Sequence, residues 1–133
     1  FSLIDGAVLE CGCVYIVKLL ESVSLTDDLT GIANPKSSTG RLDIFTRLIV
    51  DGAQEFETVP SGYEGPLYAE ISPRTFSVLV RTGSRLNQLR LRRGTSFTSD
   101  KEMEILQEHL GLVRNNDSLE LPDTINNDIQ LSV

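Results

Sequence analysis

Long apolar runs are missing from this chain: none approaches the roughly 20 residues that a membrane-crossing helix needs. A basic-then-apolar leader with a cleavage site is missing too, so a cytoplasmic location is expected, with no membrane partner. The chain opens on Phe1 rather than Met, and the expectation is that it is a fragment of something longer. Histidine occurs once, at His109, and cysteine twice, at Cys11 and Cys13. Zinc sites usually want Cys-x₂₋₄-Cys with further Cys or His ligands, so this inventory does not supply one. Spaced i, i+2 on a strand, the two thiols would share a face, ill-placed to bond to each other, and are expected as buried, reduced core residues. The His-x-Glu and Pro-Cys-x-x-Cys pair of zinc-dependent base deaminases is absent as well. If water is activated here, the expectation is that no zinc takes part.

What is present is an ordinary globular composition. Of 133 residues, 40% are hydrophobic and 23% charged, which excludes disordered and collagen-like chains. The length suits one domain with a real core. Net charge is −7, unevenly spread: from Asp100 onward eight acids face only Lys101 and Arg114. Arg74, Arg81, Arg85, Arg90, Arg92 and Arg93 supply half of the twelve basic residues. A local basic strip on an acidic protein fits a small anion better than a nucleic-acid polymer, which wants a broad basic face. Solvated strand faces account for most such arginines equally well.

The chain reads as many short strands separated by turns. Cys13 to Leu20 is rich in β-branched residues, Arg41 to Val50 ends at an Asp51-Gly52 hairpin signal, and Leu67–Ile71 with Phe76–Arg81 reads as a strand pair. Thr26 to Gly31 reads as a turn or one short helical turn, and Arg85 to Leu91 as an alternating strand. One helix is expected near residues 100–110: Ser99 and Asp100 supply a cap and an early acid, Met103, Leu106 and Leu110 share a face, and Gly111 stops it. Leu119 and Leu121 alternate in a polar, turn-rich stretch that reads as a short strand or a linker. No internal repeat is found. The pattern predicts an all-β barrel or sandwich with one helical excursion. The β core is expected over residues 1–97 of a single domain, with the helix and an acidic connecting segment over 98–133.

The organising stretch runs from Asn34 to Glu70. Lys36, Ser37, Ser38, Thr39 and Arg41 gather three hydroxyls, an amine and a guanidinium between Pro35 and Arg41. Such donors, on a backbone that can approach closely, suit a polyanion such as phosphate. Glu70 is a lone acid in an apolar strand. Taken singly, each has a plainer reading: Ser37-Ser38 as a turn, Arg41 as a surface partner of Asp43, Glu70 as a solvent-facing strand residue.

Taken in order, Lys36-Ser37-Ser38-Thr39-Gly40-Arg41, Gly62-Tyr63-Glu64-Gly65, Ala69-Glu70 and Arg81 to Leu89 resemble the dCTP deaminase family of the dUTPase-like superfamily, over roughly Asp5 to Leu91. Lys36 stands where that family's serine loop has its first Arg, Thr82 where its later motif has Pro, and Pro60 where it has an Asp that reads the deoxyribose. The resemblance implies a distorted, mainly antiparallel β-barrel that deaminates dCTP to dUTP and ammonia. It implies Glu70 as acid/base, Ser37 orienting the water and Arg41 holding charge beside the reacting groups. It also implies Lys36, Ser37, Ser38, Arg41, Tyr63 and Gln88 around the substrate, with Mg²⁺ carried on the triphosphate. The partners implied are dCTP and dUTP, in a homo-oligomeric trimer or pseudo-trimer with sites between subunits or halves. The residues after Gly94 look like the longer, two-domain form, with this chain its N-terminal half. A dUTPase-like diphosphatase and a non-catalytic nucleotide-binding half remain the alternatives.

Overall fold

A computed structural model describes residues 2–94 and 98–113 in full, and the backbone of 125–126 and 128–129. The chain divides into two units, Phe1–Gly94 and Thr95–Val133. In the first, β1 (Ala7–Leu9), β2 (Tyr15–Ser24), β3 (Leu29–Pro35), α1 (Ser37–Arg41), β4 (Ile44–Val50), β5 (Thr58–Val59), β6 (Glu64–Pro73), β7 (Val78–Val80) and β8 (Asn87–Arg93) follow one another. The second holds α2 (Asp100–Leu110), β9 (Ile125–Asn126) and β10 (Asp128–Ile129).

All the pairings among the described residues are antiparallel: β2-β6-β4, β5-β3-β8, β1-β7 and β10-β9. The expected mainly antiparallel β architecture is what is seen, as separate ladders. Its cause is period-two patterning. On β4, Ile44, Thr46, Leu48 and Val50 point inward while Phe45, Arg47 and Ile49 point out. On β6, Leu67, Ala69 and Ile71 are buried and Tyr68 and Glu70 take the other face. Two apolar clusters result, one of Leu9, Ile44, Ala69, Ile71 and Val80, the other of Ala33, Leu48, Val50, Val59 and Leu67.

Several local expectations are corrected. The stretch read as loop from Asn34 to Arg41 is the end of β3 followed by α1, and β4 begins only at Ile44. Leu67–Ile71 and Phe76–Arg81 do not pair with each other: β6 lies between β2 and β4, and β7 joins β1. The link between them is drawn elsewhere, because Arg74 N donates to Asp43 O at 3.0 Å and Cys11 N to Ser77 Oγ at 3.1 Å. Asp51-Gly52 does turn, but the chain runs on to β5, which pairs with β3 instead of folding back on β4. Cys11 and Cys13 are free but exposed, not buried. They flank Gly12, whose φ of +79° makes a tight turn there in place of a strand.

The helix of the second unit is as expected. Ser99 and Glu102 form a reciprocal capping box, and Gly111 ends α2 in the left-handed region at φ 54°. Its expected apolar stripe is largely open, with Leu106 and Leu110 exposed. The buried residue is Gln107, whose amide holds both backbone groups of Val113. Leu119 and Leu121 lie outside the described residues.

Candidate functional site

Thr39 is the one buried residue of α1, and it fixes that helix to the start of β8. Its hydroxyl donates to Leu86 O at 2.8 Å, and Lys36 N reaches the same carbonyl at 2.9 Å. Ser37, Ser38 and Arg41 are left exposed around this anchor, with Lys36 half-buried. A cleft of about 620 Å³ opens beside them, with Pro35 and Gly40 on one wall and Phe45, Arg47 and Glu57 on another.

Glu70 is reached through Arg47. The two are directly opposite in the β4–β6 register, and Arg47 Nη2 donates to both Glu70 oxygens at 2.9 Å. The Glu70 side chain is only 14% exposed, so the pair is well shielded. The guanidinium also lies 3.7 Å from the Phe56 ring centroid and 5.1 Å from that of Phe45. Stacked and bonded in this way, Arg47 has little rotamer freedom left, and it holds the carboxylate in one orientation. Each carboxylate oxygen has lone pairs for a further donor.

Glu57 occupies the gap between β3 and β4. Its N–H donates to Leu48 O at 3.0 Å and its carbonyl accepts from Ala33 N at 2.7 Å. It sits in the left-handed region with φ 65°, a costly conformation for a residue with a Cβ. Its Oε2 is buried and unpartnered. Burial pushes the carboxyl above its ordinary value, against the opposing pull of a backbone hydrogen bond at Leu48 and of the Arg47 charge. Folding thus favours the neutral acid. The group supports stability at low pH and loses that support as pH rises through its raised pKa. Glu57→Gln removes the dependence, so the variant should gain stability relative to the parent as pH rises above about 4.5, the carboxyl's ordinary value. Urea midpoints taken across that range check this; parallel curves for the two proteins would show that Glu57 is not desolvated in solution.

The remaining sequence-derived candidates are distributed differently. Gln88 pairs in register with Asn34 and lies on a second cleft of about 600 Å³, lined also by Val17, Leu19 and Leu86. Tyr63 belongs to the glycine turn: its hydroxyl donates to Pro66 O at 2.6 Å, and its backbone N–H to Pro60 O at 3.3 Å. Gly65 leaves room for that hydroxyl: an added Cβ would meet it at 2.7 Å, so the Tyr63 ring would have to shift. Tyr63 lines neither cleft. Sequence reasoning passed over Arg47 and Glu57. Arg47 carried one usable signal, a lone cation on the outward phase of an otherwise apolar strand. Glu57 carried none, because its position depends on two backbone bonds to other strands.

The sequence profile of the 2′-deoxycytidine 5′-triphosphate deaminase (DCD) N-terminal domain matches residues 1–95. Among solved structures, that of 2′-deoxycytidine 5′-triphosphate deaminase from Agrobacterium tumefaciens is similar at 59% identity and a TM-score of 0.69, over 86% of this chain and 34% of that one. This chain therefore spans about a third of that protein's length. Curated proteins gave no match. The profile takes in the serine–arginine loop, the glycine turn and Glu70 in one continuous match, and with it the chain belongs to the 2′-deoxycytidine 5′-triphosphate deaminase N-terminal domain family.

Proposed function

We propose that this chain is the N-terminal part of a deaminase that converts dCTP to dUTP and ammonia, in pyrimidine deoxynucleotide metabolism. Glu70 is the acid/base. It takes a proton from the attacking water as oxygen adds to C4, and returns protons to ring nitrogen N3 and to the amine, which leaves as ammonia. Ser37 orients the water, and Arg47 keeps the Glu70 carboxylate aimed. Lys36, Ser37, Ser38 and Arg41 hold the triphosphate. Their amine, hydroxyl and guanidinium groups are phosphate donors, and Mg²⁺ enters as part of the substrate, on the phosphates. The observation that carries this reading is the shielded Glu70–Arg47 pair bridging β6 and β4, with the exposed Ser37, Ser38 and Arg41 on α1 immediately before β4, inside the matched residues.

The direct test is to incubate the complete protein with dCTP and Mg²⁺ and resolve dUTP, dUMP and ammonia. Ammonia with dUTP is the expected outcome; no ammonia would refute the reading. Within the loop, Ser37→Ala and Arg41→Ala should each weaken kcat/KM by about tenfold or more, the scale of a lost charge-assisted hydrogen bond. Arg92→Ala should have little effect, since that residue lies exposed on β8. Equal losses at both places would move the nucleotide onto the arginine strip.

A further inference from the structure

Arg41 is not the surface partner of Asp43 that its plainer reading makes it. The Asp43 carboxylate is taken by Thr75, whose Oγ1 donates to Asp43 Oδ2 at 2.5 Å. Among the described residues the ion pairs are Arg47–Glu70 and Arg93–Asp28, and Arg41 belongs to neither. Asp43 is tied twice more through its backbone. Its N–H donates to Gly40 O at 3.0 Å, closing the turn that ends α1, and its carbonyl accepts from Arg74 N at 3.0 Å. Its φ of 52° lies in the left-handed region, which Asp tolerates better than most residues but still at a cost. Asp43 and Thr75 are both exposed, so the bond between their side chains adds little to folding stability. A strained residue held from three directions at an exposed place points to a task beyond folding.

We propose that Asp43 and Thr75 form a latch that positions Arg41 for the phosphates of the substrate. The proposal rests on the dCTP reading above and adds two positioning residues to the phosphate end of that site, Arg41 being the group that touches the nucleotide. Asp43 lies two residues after Arg41, between α1 and β4, and lines the cleft of about 620 Å³ together with Gly40 and Arg74. On its other side α1 is fixed by Lys36 N and Thr39 Oγ1, which both bond Leu86 O. The latch adds the second fixed point, tying the end of α1 to the residues that follow β6. The Arg41 backbone is thereby held between two anchors while its guanidinium stays exposed. A side chain carried on a fixed backbone has less freedom to lose when it closes on a ligand, and the affinity gains by what is not lost. Without the latch, Arg41 keeps its charge but not its place.

The experiment is a double-mutant cycle in the complete protein, with Thr75→Val, Arg41→Ala and the two combined, reading KM and kcat for dCTP. Thr75→Val removes the hydroxyl at an exposed bend and should raise KM by about fivefold, with kcat within about twofold of the parent. Added to Arg41→Ala, the same change should raise KM by less than about twofold, because the group it positions is already gone. A merely structural role would weaken both backgrounds equally. Should Thr75→Val fail to fold by circular dichroism, Asp43→Gly takes its place in the cycle: it keeps the left-handed backbone and removes the carboxylate. An unchanged KM, a loss in kcat instead of KM, or equal losses with and without Arg41 each overturn the latch while leaving dCTP deamination intact. A parent protein that deaminates no dCTP overturns both together.

Discussion

Glu70→Gln in the complete protein should lower dCTP turnover by about 10²–10⁴-fold, the usual contribution of a general acid–base group, while nucleotide affinity stays close to that of the parent. Glutamine keeps the volume and can still accept from Arg47 Nη2, so the geometry of the pair is largely preserved. It cannot take a proton from water. Loss of kcat with KM unchanged is therefore the signature of a group acting in the chemical step. Glu70→Ala would be a poorer probe, because it strands the part-buried Arg47 charge, and breaking a buried pair by removing one partner costs about 3–5 kcal/mol when burial is complete. Here Arg47 is 33% exposed, so the cost is smaller, but it would still confound rate with folding. A Glu70→Gln protein that retains most of its rate would make the carboxylate a structural partner of Arg47 and nothing more.

Strands β2, β4 and β6 were legible because one-sided burial imposes period two; β3 was not, since Leu29 to Gly31 read as part of a turn and Asn34 and Pro35 as part of a loop. Helix α2 was legible from its cap and its glycine stop, both local chemistry. Partner choice was not legible. Whether β7 joins β6 or β1 is decided by bonds from residues 74–77 to Asp43 and Cys11, far apart in sequence. The same limit applies to the site. The serine loop and Glu70 stand out as sequence motifs, but the residue that bonds Glu70 lies 23 positions away. It is found only once β4 and β6 are set in register. Cys11 and Cys13 show the reverse error: a strong general tendency of thiols to be buried gave way to a turn at Gly12.

The chain of residues 1–133 expressed alone should show no dCTP deamination, while the complete protein should. The argument starts at Pro60, exposed at the end of β5, where the resemblance calls for a sugar-reading Asp. Proline has neither a side-chain acceptor nor a backbone N–H, and its carbonyl already accepts from Tyr63 N. A sugar hydroxyl bound there would go unpaired, at a cost of about 1–3 kcal/mol. The surroundings of Glu70 point the same way. On the outward face of β2-β6-β4, Ile16 lies opposite Glu70 and is 65% exposed, and Leu20 on the same strand is 73% exposed. Large apolar side chains around a shielded ion pair are the kind of surface that another domain or subunit covers. These features predict a composite site, with Lys36 to Arg41 supplied by this chain and a sugar-reading carboxylate by another part of the protein or another chain. Assaying the isolated chain and the complete protein side by side for ammonia release decides it. Robust turnover by the isolated chain would sink the composite site and make Pro60 a tolerated replacement. Nucleotide binding without turnover, restored to full activity in the complete protein, is the expected pattern.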